Sequence, residues 1–169
     1  MFCSVPPSGN GKMTLRYLTR SLRDSWKITA GFAMKKCIDD PGLCRLLFFA
    51  TKEDPTGGIS DEDISRYQFY FDRDTAATID LGDLAKRLPS ASSRKNGKAP
   101  FITTSSQLSS LVVGATDDFI VDKEGVEEMS RYFGVGPVIV DSPHDVMLGP
   151  KWRNGAETLL QWINSCNLH

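Results

Sequence analysis

Histidine is scarce in this sequence: there are two, His144 and His169, and His169 is the last residue. Cysteine is scarce as well, standing at 3, 37, 44 and 166 with no Cys-x-x-Cys pair. These shortages exclude a Cys/His zinc site by local spacing. They also leave too few thiols for a disulfide scaffold, so reduced cysteines in a soluble intracellular protein, cytoplasmic or organellar, are expected. Long apolar runs are missing too. The longest, Leu46-Leu47-Phe48-Phe49-Ala50, falls far short of the roughly 18–20 residues of a membrane span. Excess charge is absent: 20 Lys+Arg oppose 21 Asp+Glu, a net charge of −1. That balance excludes a strongly basic nucleic-acid binder.

What is present is an ordinary globular mixture, 40% hydrophobic and 24% charged over 169 residues. The length suits one domain with a sizeable core. Residues 1–58 carry nine Lys+Arg and five Asp+Glu, and the rest carry eleven and sixteen. Solvated helix faces account for that asymmetry, and a mild attraction for anionic partners is the other reading.

Met1 to Gly9 reads as a short apolar strand that stops at Pro6-Pro7, because proline cannot donate to a ladder. Residues 1–12 form this strand and turn. Residues 13–37 read as helix, with Leu15, Leu18, Leu22 and Trp26 on one face and Arg16, Arg20 and Arg23 opposite. Gly31 is the expected break. Cys44 to Phe49 reads as another helical piece, followed by a loop over 51–58. Ser60 is the expected N-cap of a helix carrying Ile64, Tyr67 and Phe71. A further helix is expected over 74–88, then a small, polar, basic loop over 89–100.

From residue 101 onward the pattern changes. Leu111-Val112-Val113 predicts a buried parallel strand ended by Gly114. Residues 123–134 predict a helix, Pro137-Val138-Ile139-Val140 a second buried strand, and 151–164 a last helix. Strand, helix, strand, helix is the grammar of a parallel α/β sheet.

Chemistry concentrates at the two strand ends. Asp117 and Asp118 follow the first strand, where ligands and catalytic groups collect in open α/β sheets. Asp at a strand end is also common turn chemistry. His144 follows the second strand, in Asp141-Ser142-Pro143-His144-Asp145. A neutral imidazole is the best general base near pH 7, and a carboxylate beside it fixes its tautomer. Parallel neighbours lie roughly 4.8 Å apart, so a strand–helix–strand unit brings acid and histidine within hydrogen-bond reach.

This order resembles the carboxyl-terminal part of the α/β-hydrolase fold. The resemblance is carried by Leu111-Val112-Val113-Gly114-Ala115-Thr116-Asp117-Asp118-Phe119-Ile120-Val121 and then Val138-Ile139-Val140-Asp141-Ser142-Pro143-His144-Asp145. It implies an α/β fold class: parallel strands with helices, plus a helical cap insertion. Residues 13–100 resemble the cap and its linker, 101–169 the core segment, and Met1 to Gly9 the strand leading into the cap. The family's triad runs Ser, Asp/Glu, His in chain order. Its last two members fall on Asp118 or Asp117 and on His144. Asp118 is favoured because one variable residue, Phe119, and then the aliphatic pair Ile120-Val121 follow it.

The nucleophile elbow Gly-x-Ser-x-Gly occurs nowhere in the sequence. The resemblance implies that the serine and the oxyanion donors belong to a segment preceding this one, and that the chain alone is inactive. Ser142 and Cys3 are poor substitutes. Pro6 to Thr14 looks like a phosphate loop but lacks its Gly at 6 and its Ser/Thr at 13. The expected function is therefore that of a truncated serine hydrolase without metal or organic cofactor. The full-length form would take a small apolar ester or acyl substrate. Trp26, Phe32 and Phe119 are the expected substrate-binding residues, with Phe48, Phe49, Tyr67 and Phe71 as further candidates. The alternative is a non-catalytic protein of the same descent that binds a small ligand, or a partner chain through an exposed sheet edge.

Overall fold

The computed structural model describes residues 10–32, 34–74 and 110–166. The expected strand over 1–9, the helix over 74–88 beyond its first residue and the loop over 89–100 lie outside them. Among the described residues there are six α-helices and a two-stranded parallel sheet, a mixed α/β arrangement. The elements are α1 (Asn10–Arg20), α2 (Leu22–Phe32), α3 (Pro41–Phe48), α4 (Asp61–Asp74), β1 (Val112–Asp117), α5 (Lys123–Phe133), β2 (Pro137–Pro143) and α6 (Trp152–Cys166). A single 3-10 turn, Lys36–Ile38, links α2 to α3.

The first helical stretch breaks at Ser21, not at Gly31. The Ser21 hydroxyl accepts the Asp24 amide at 3.2 Å and so caps α2. Gly31 lies inside α2. A Cβ there would sit 2.2 Å from Leu47 Cδ1, so the missing side chain lets α2 and α3 approach. The apolar face of that stretch points to solvent: Leu15, Leu18, Leu22 and Trp26 are all exposed, Leu22 by 73%. Arg16, expected on the opposite side, turns inward and pairs with buried Asp122, while Arg20 stays exposed and pairs with Glu124 at the surface. Met13, packed with Val121, and Arg16 mark the face of α1 that is inside.

Helix α3 starts earlier than Cys44, because Asp40 caps it by accepting the Leu43 amide at 2.9 Å, with Pro41 in its first turn. The Ser60 hydroxyl accepts the Asp63 amide at 3.0 Å, the expected cap of α4. Helices α2, α3 and α4 enclose a core of Cys37, Cys44, Leu47, Phe49, Ile59 and Ile64. Phe119, Ile120 and Leu148, from the loops after β1 and β2, pack against the same cluster. Burial pushes the Cys44 thiol up to about 12.

Strand β1 does not end at Gly114 but continues to Asp117. A Cβ on Gly114 would lie 2.9 Å from Val126, so glycine there lets α5 lie close on the sheet. Strands β1 and β2 pair in parallel, Val113 against Val138 and Ala115 against Val140, with an irregularity between Ala115 and Asp117. Alternation sends Val112 to Val126 and Met129, and Val113 to Val140 and Val146. Strand β2 is less buried than its apolar run implies: Pro137, Val138 and Ile139 are exposed. Helix α6 likewise leaves Trp152, Leu159, Leu160 and Ile163 exposed. It nonetheless approaches closely at Gly155, where a Cβ would fall 2.8 Å from the Val146 carbonyl oxygen. No described helix is long and apolar enough to cross a membrane.

Candidate functional site

The ends of β1 and β2 are tied together before either functional side chain is reached. The Thr116 hydroxyl lies 3.3 Å from the Ser142 amide nitrogen, which donates to it, and 3.4 Å from the Ser142 carbonyl oxygen. Two residues beyond each, His144 Nδ1 lies 2.7 Å from Asp118 Oδ1. The same carboxylate oxygen accepts the Ile120 and Val121 amides, each at 2.8 Å. Three N–H groups therefore converge on one oxygen. A carboxylate only accepts, so in the neutral ring this contact selects the tautomer with its proton on Nδ1 and its lone pair on Nε2.

His144 is held from the other side as well. Its ring centroid lies 5.9 Å from that of Phe48, at the end of α3. The next residue, Asp145, donates its amide to the Phe48 carbonyl at 2.9 Å. Its side chain accepts the Met147 and Leu148 amides at 3.0 and 2.9 Å, which closes the loop on itself. The imidazole is thus packed but open to solvent: its side chain is 21% exposed, against 9% for Asp118.

The two candidate acids separate cleanly. Asp118 meets the imidazole, whereas Asp117 pairs with Lys52, 3.7 Å away. The expected substrate-binding aromatics also separate. Trp26 is 61% exposed on the outer face of α2. Phe32 is partly exposed, but its ring packs edge-on at 5.6 Å against Phe48, the neighbour of His144. Phe119 packs against the core between α2 and α4, with the Lys27 ammonium 5.7 Å from its ring centre. The Phe48 and Phe71 rings lie 5.1 Å apart, tilted by 38°, and extend that aromatic surface. Ser142 is fully buried, and its hydroxyl has no hydrogen-bond partner among the described residues, His144 included.

Sequence reasoning does not reveal what holds the acid loop. Tyr17 on α1 donates its hydroxyl to the Phe119 carbonyl at 3.2 Å. Arg16 grips the Asp122 carboxylate through Nε and Nη2, the latter at 2.7 Å from Oδ1. Asp122 also caps α5 by accepting the Gly125 amide at 2.9 Å. Burial pushes the Asp122 carboxyl up, but Arg16, the Gly125 amide and Arg20 outweigh it and hold the group below its ordinary range. Burial, with the charges of Asp122 and Asp118, pushes the Tyr17 hydroxyl well above the ordinary tyrosine range. These contacts span more than 100 residues, so no local spacing signals them.

A cavity of about 540 Å³ opens beside the acid, with Tyr17, Thr116, Asp118, Val121, Val126 and Ile139 among its lining residues. Its walls mix hydroxyl, carboxylate and aliphatic groups. Among the described residues, no cluster of three His, Cys, Asp or Glu side chains is placed to hold a metal ion. Comparison with known proteins finds no matching family model, no similar curated protein and no similar solved structure.

Proposed function

We propose that Asp118 and His144 are the acid and the base of a serine α/β-hydrolase acting on an ester or related acyl bond. The observation that carries this reading is the 2.7 Å contact between His144 Nδ1 and Asp118 Oδ1 at the ends of adjacent parallel strands. In such a reaction Nε2 takes the proton of a serine hydroxyl as its oxygen attacks the acyl carbon. It then returns the proton to the departing alcohol. Asp118 holds the tautomer and stabilises the imidazolium that forms in between. The sequence contains no Gly-x-Ser-x-Gly, so the reading requires a nucleophile and oxyanion donors from outside these 169 residues. The chain alone is then inactive. Helices α1 to α4 take the part of the cap. The aromatic surface of Phe32, Phe48 and Phe71 beside the imidazole suits a small apolar acyl substrate. The reaction calls for no metal or organic cofactor.

The test begins with the transcript upstream of Met1, which is expected to continue in frame to a Gly-x-Ser-x-Gly. The joined protein should be labelled by a fluorophosphonate, and labelling should vanish in His144→Ala. The 169-residue chain should not turn over p-nitrophenyl esters. Turnover by that chain, lost in His144→Ala, overturns the placing of the nucleophile. A joined protein whose serine stays unlabelled overturns the hydrolase reading.

A second reading is favoured by a different observation. Val138 and Ile139 of β2 and Leu159, Leu160 and Ile163 of α6 are all exposed. A non-catalytic protein of hydrolase descent would bury that surface against a second copy or another chain at the edge of the sheet. Sedimentation separates the two. Concentration-dependent dimers abolished by Leu160→Glu support association, and a monomer at all concentrations removes self-association.

A further inference from the structure

The loop that carries Asp118 runs from the end of β1 to the start of α5, only a few residues. One helix face, that of α1, is applied along its length. Met13 packs in the same cluster as Val121. Tyr17 bonds the Phe119 carbonyl, Arg16 grips Asp122 with two nitrogens, and Arg20 pairs with Glu124 just beyond. Positions 13, 16, 17 and 20 share one side of a helix, so a single element reaches the loop at four places. Neither Arg16 nor Tyr17 is bonded to Asp118 or to His144.

We propose that Arg16 and Tyr17 are positioning residues for the acid–histidine pair: through Asp122 and Phe119 they fix the loop that aims Asp118 at His144. The physical case is one of constraint. The Asp118 carboxylate accepts the amides of Ile120 and Val121, so its direction follows the path of the backbone over those residues. Phe119 and Asp122 flank that stretch on either side. A bond to the Phe119 carbonyl stops that peptide from rotating. The two-pronged guanidinium grip fixes Asp122 in direction as well as distance. Freed of both, the loop keeps its anchors in β1 and α5 but loses the restraint between them, and a displacement of about 1 Å is enough to cost a catalytic pair its efficiency. The catalytic meaning of the proposal rests on the hydrolase reading, whereas the geometric claim can be tested without a nucleophile.

The experiment is proton NMR of the 169-residue chain. A ring N–H held by a carboxylate gives a separate downfield resonance, and with two histidines in the sequence His144→Gln assigns it. Tyr17→Phe and Arg16→Gln are expected to broaden or abolish it, its exchange with water quickening about tenfold for one lost hydrogen bond. Arg16→Lys, which keeps the charge and loses the fork, should restore it in part. Arg45→Gln removes bonds to the Ile59 carbonyl and to Asp61 away from the loop. It should lower the melting temperature while the resonance stays sharp, which separates positioning from general destabilisation. If Arg16→Gln fails to fold, Tyr17→Phe, which removes a single oxygen, carries the test. A resonance equally sharp in both variants overturns the proposal and leaves the acid–base pair standing. A resonance missing from the unaltered chain, or surviving in Asp118→Ala, sinks the pair and the hydrolase reading with it.

Discussion

Thr116 and Ser142 stand two residues before Asp118 and His144 respectively, and they are already joined across the parallel strands by the Thr116 hydroxyl. The meeting of acid and imidazole is the continuation of that cross-strand tie. It falls where the register between β1 and β2 shifts, after Ala115. The hydroxyl bonds the Ser142 backbone at that irregularity.

The first prediction follows from this tie. Thr116→Val keeps the shape and removes the hydroxyl, so it should lower stability by about 0.5–1.5 kcal/mol, the usual net worth of a hydrogen bond. Urea denaturation measures it. An unmoved midpoint would show that the Ser142 backbone is satisfied without Thr116.

Two glycines in left-handed conformations offer an internal comparison. Gly57 has φ +65°, and a Cβ there would fall 2.5 Å from the Phe49 carbonyl oxygen. Gly134, at φ +71°, has nothing within 4 Å of that position. Gly134→Ala should cost only the backbone strain, about 1–2 kcal/mol. Gly57→Ala adds a clash with backbone that packed Phe49 cannot relieve, and should cost at least about 1 kcal/mol more. Equal losses in thermal denaturation would contradict the close approach of this turn to Phe49.

The pairing of Arg16 with Asp122 gives a pH dependence. The folded Asp122 carboxyl is held below its ordinary value of 3.8. The unfolded chain therefore binds this proton more readily. The contribution to stability is complete above that value and is lost as pH falls through the lower folded one. Asp122→Asn should cost about 1.5–3 kcal/mol at neutral pH, as for hydrogen bonds to charged groups. The gap between variant and parent should close below about pH 4. A gap that stays constant into that range would mean that the charge of Asp122 does not matter.

Much of the carboxyl-terminal unit was legible in the sequence. Two β-branched runs flanking an amphipathic stretch specify strand, helix and strand, and residues at the two strand ends then have to be neighbours. That logic brought the Asp117-Asp118 segment beside His144, but it left open which of the two carboxylates faces the ring; Asp118 does. It failed for α1 and α2, where Leu15, Leu18, Leu22 and Trp26 look like a core stripe yet face solvent. Periodicity gives the existence of a face but not its direction. In α1 the inward face is marked by Met13, packed with Val121, and by Arg16, paired with Asp122, partners far away in the chain. The extra length of β1 was hidden by Gly114, which reads as a strand end by composition and is required within the strand by the approach of Val126. The exposure of Val138 and Ile139 was hidden for a related reason: an apolar run reports what a segment can bury, not what lies against it.

The pairing of Val113 with Val138 and of Ala115 with Val140 has a further consequence. A misfolded form slipped by one residue would satisfy nearly as many backbone partners. It would also turn the side chains of one strand to the opposite surface and carry the two loops apart by about 3.3 Å. Such a form would look native in far-ultraviolet circular dichroism while Asp118 and His144 no longer met. The buried valines hold the native register, and the hydroxyl at position 116 adds an alignment mark at its far end.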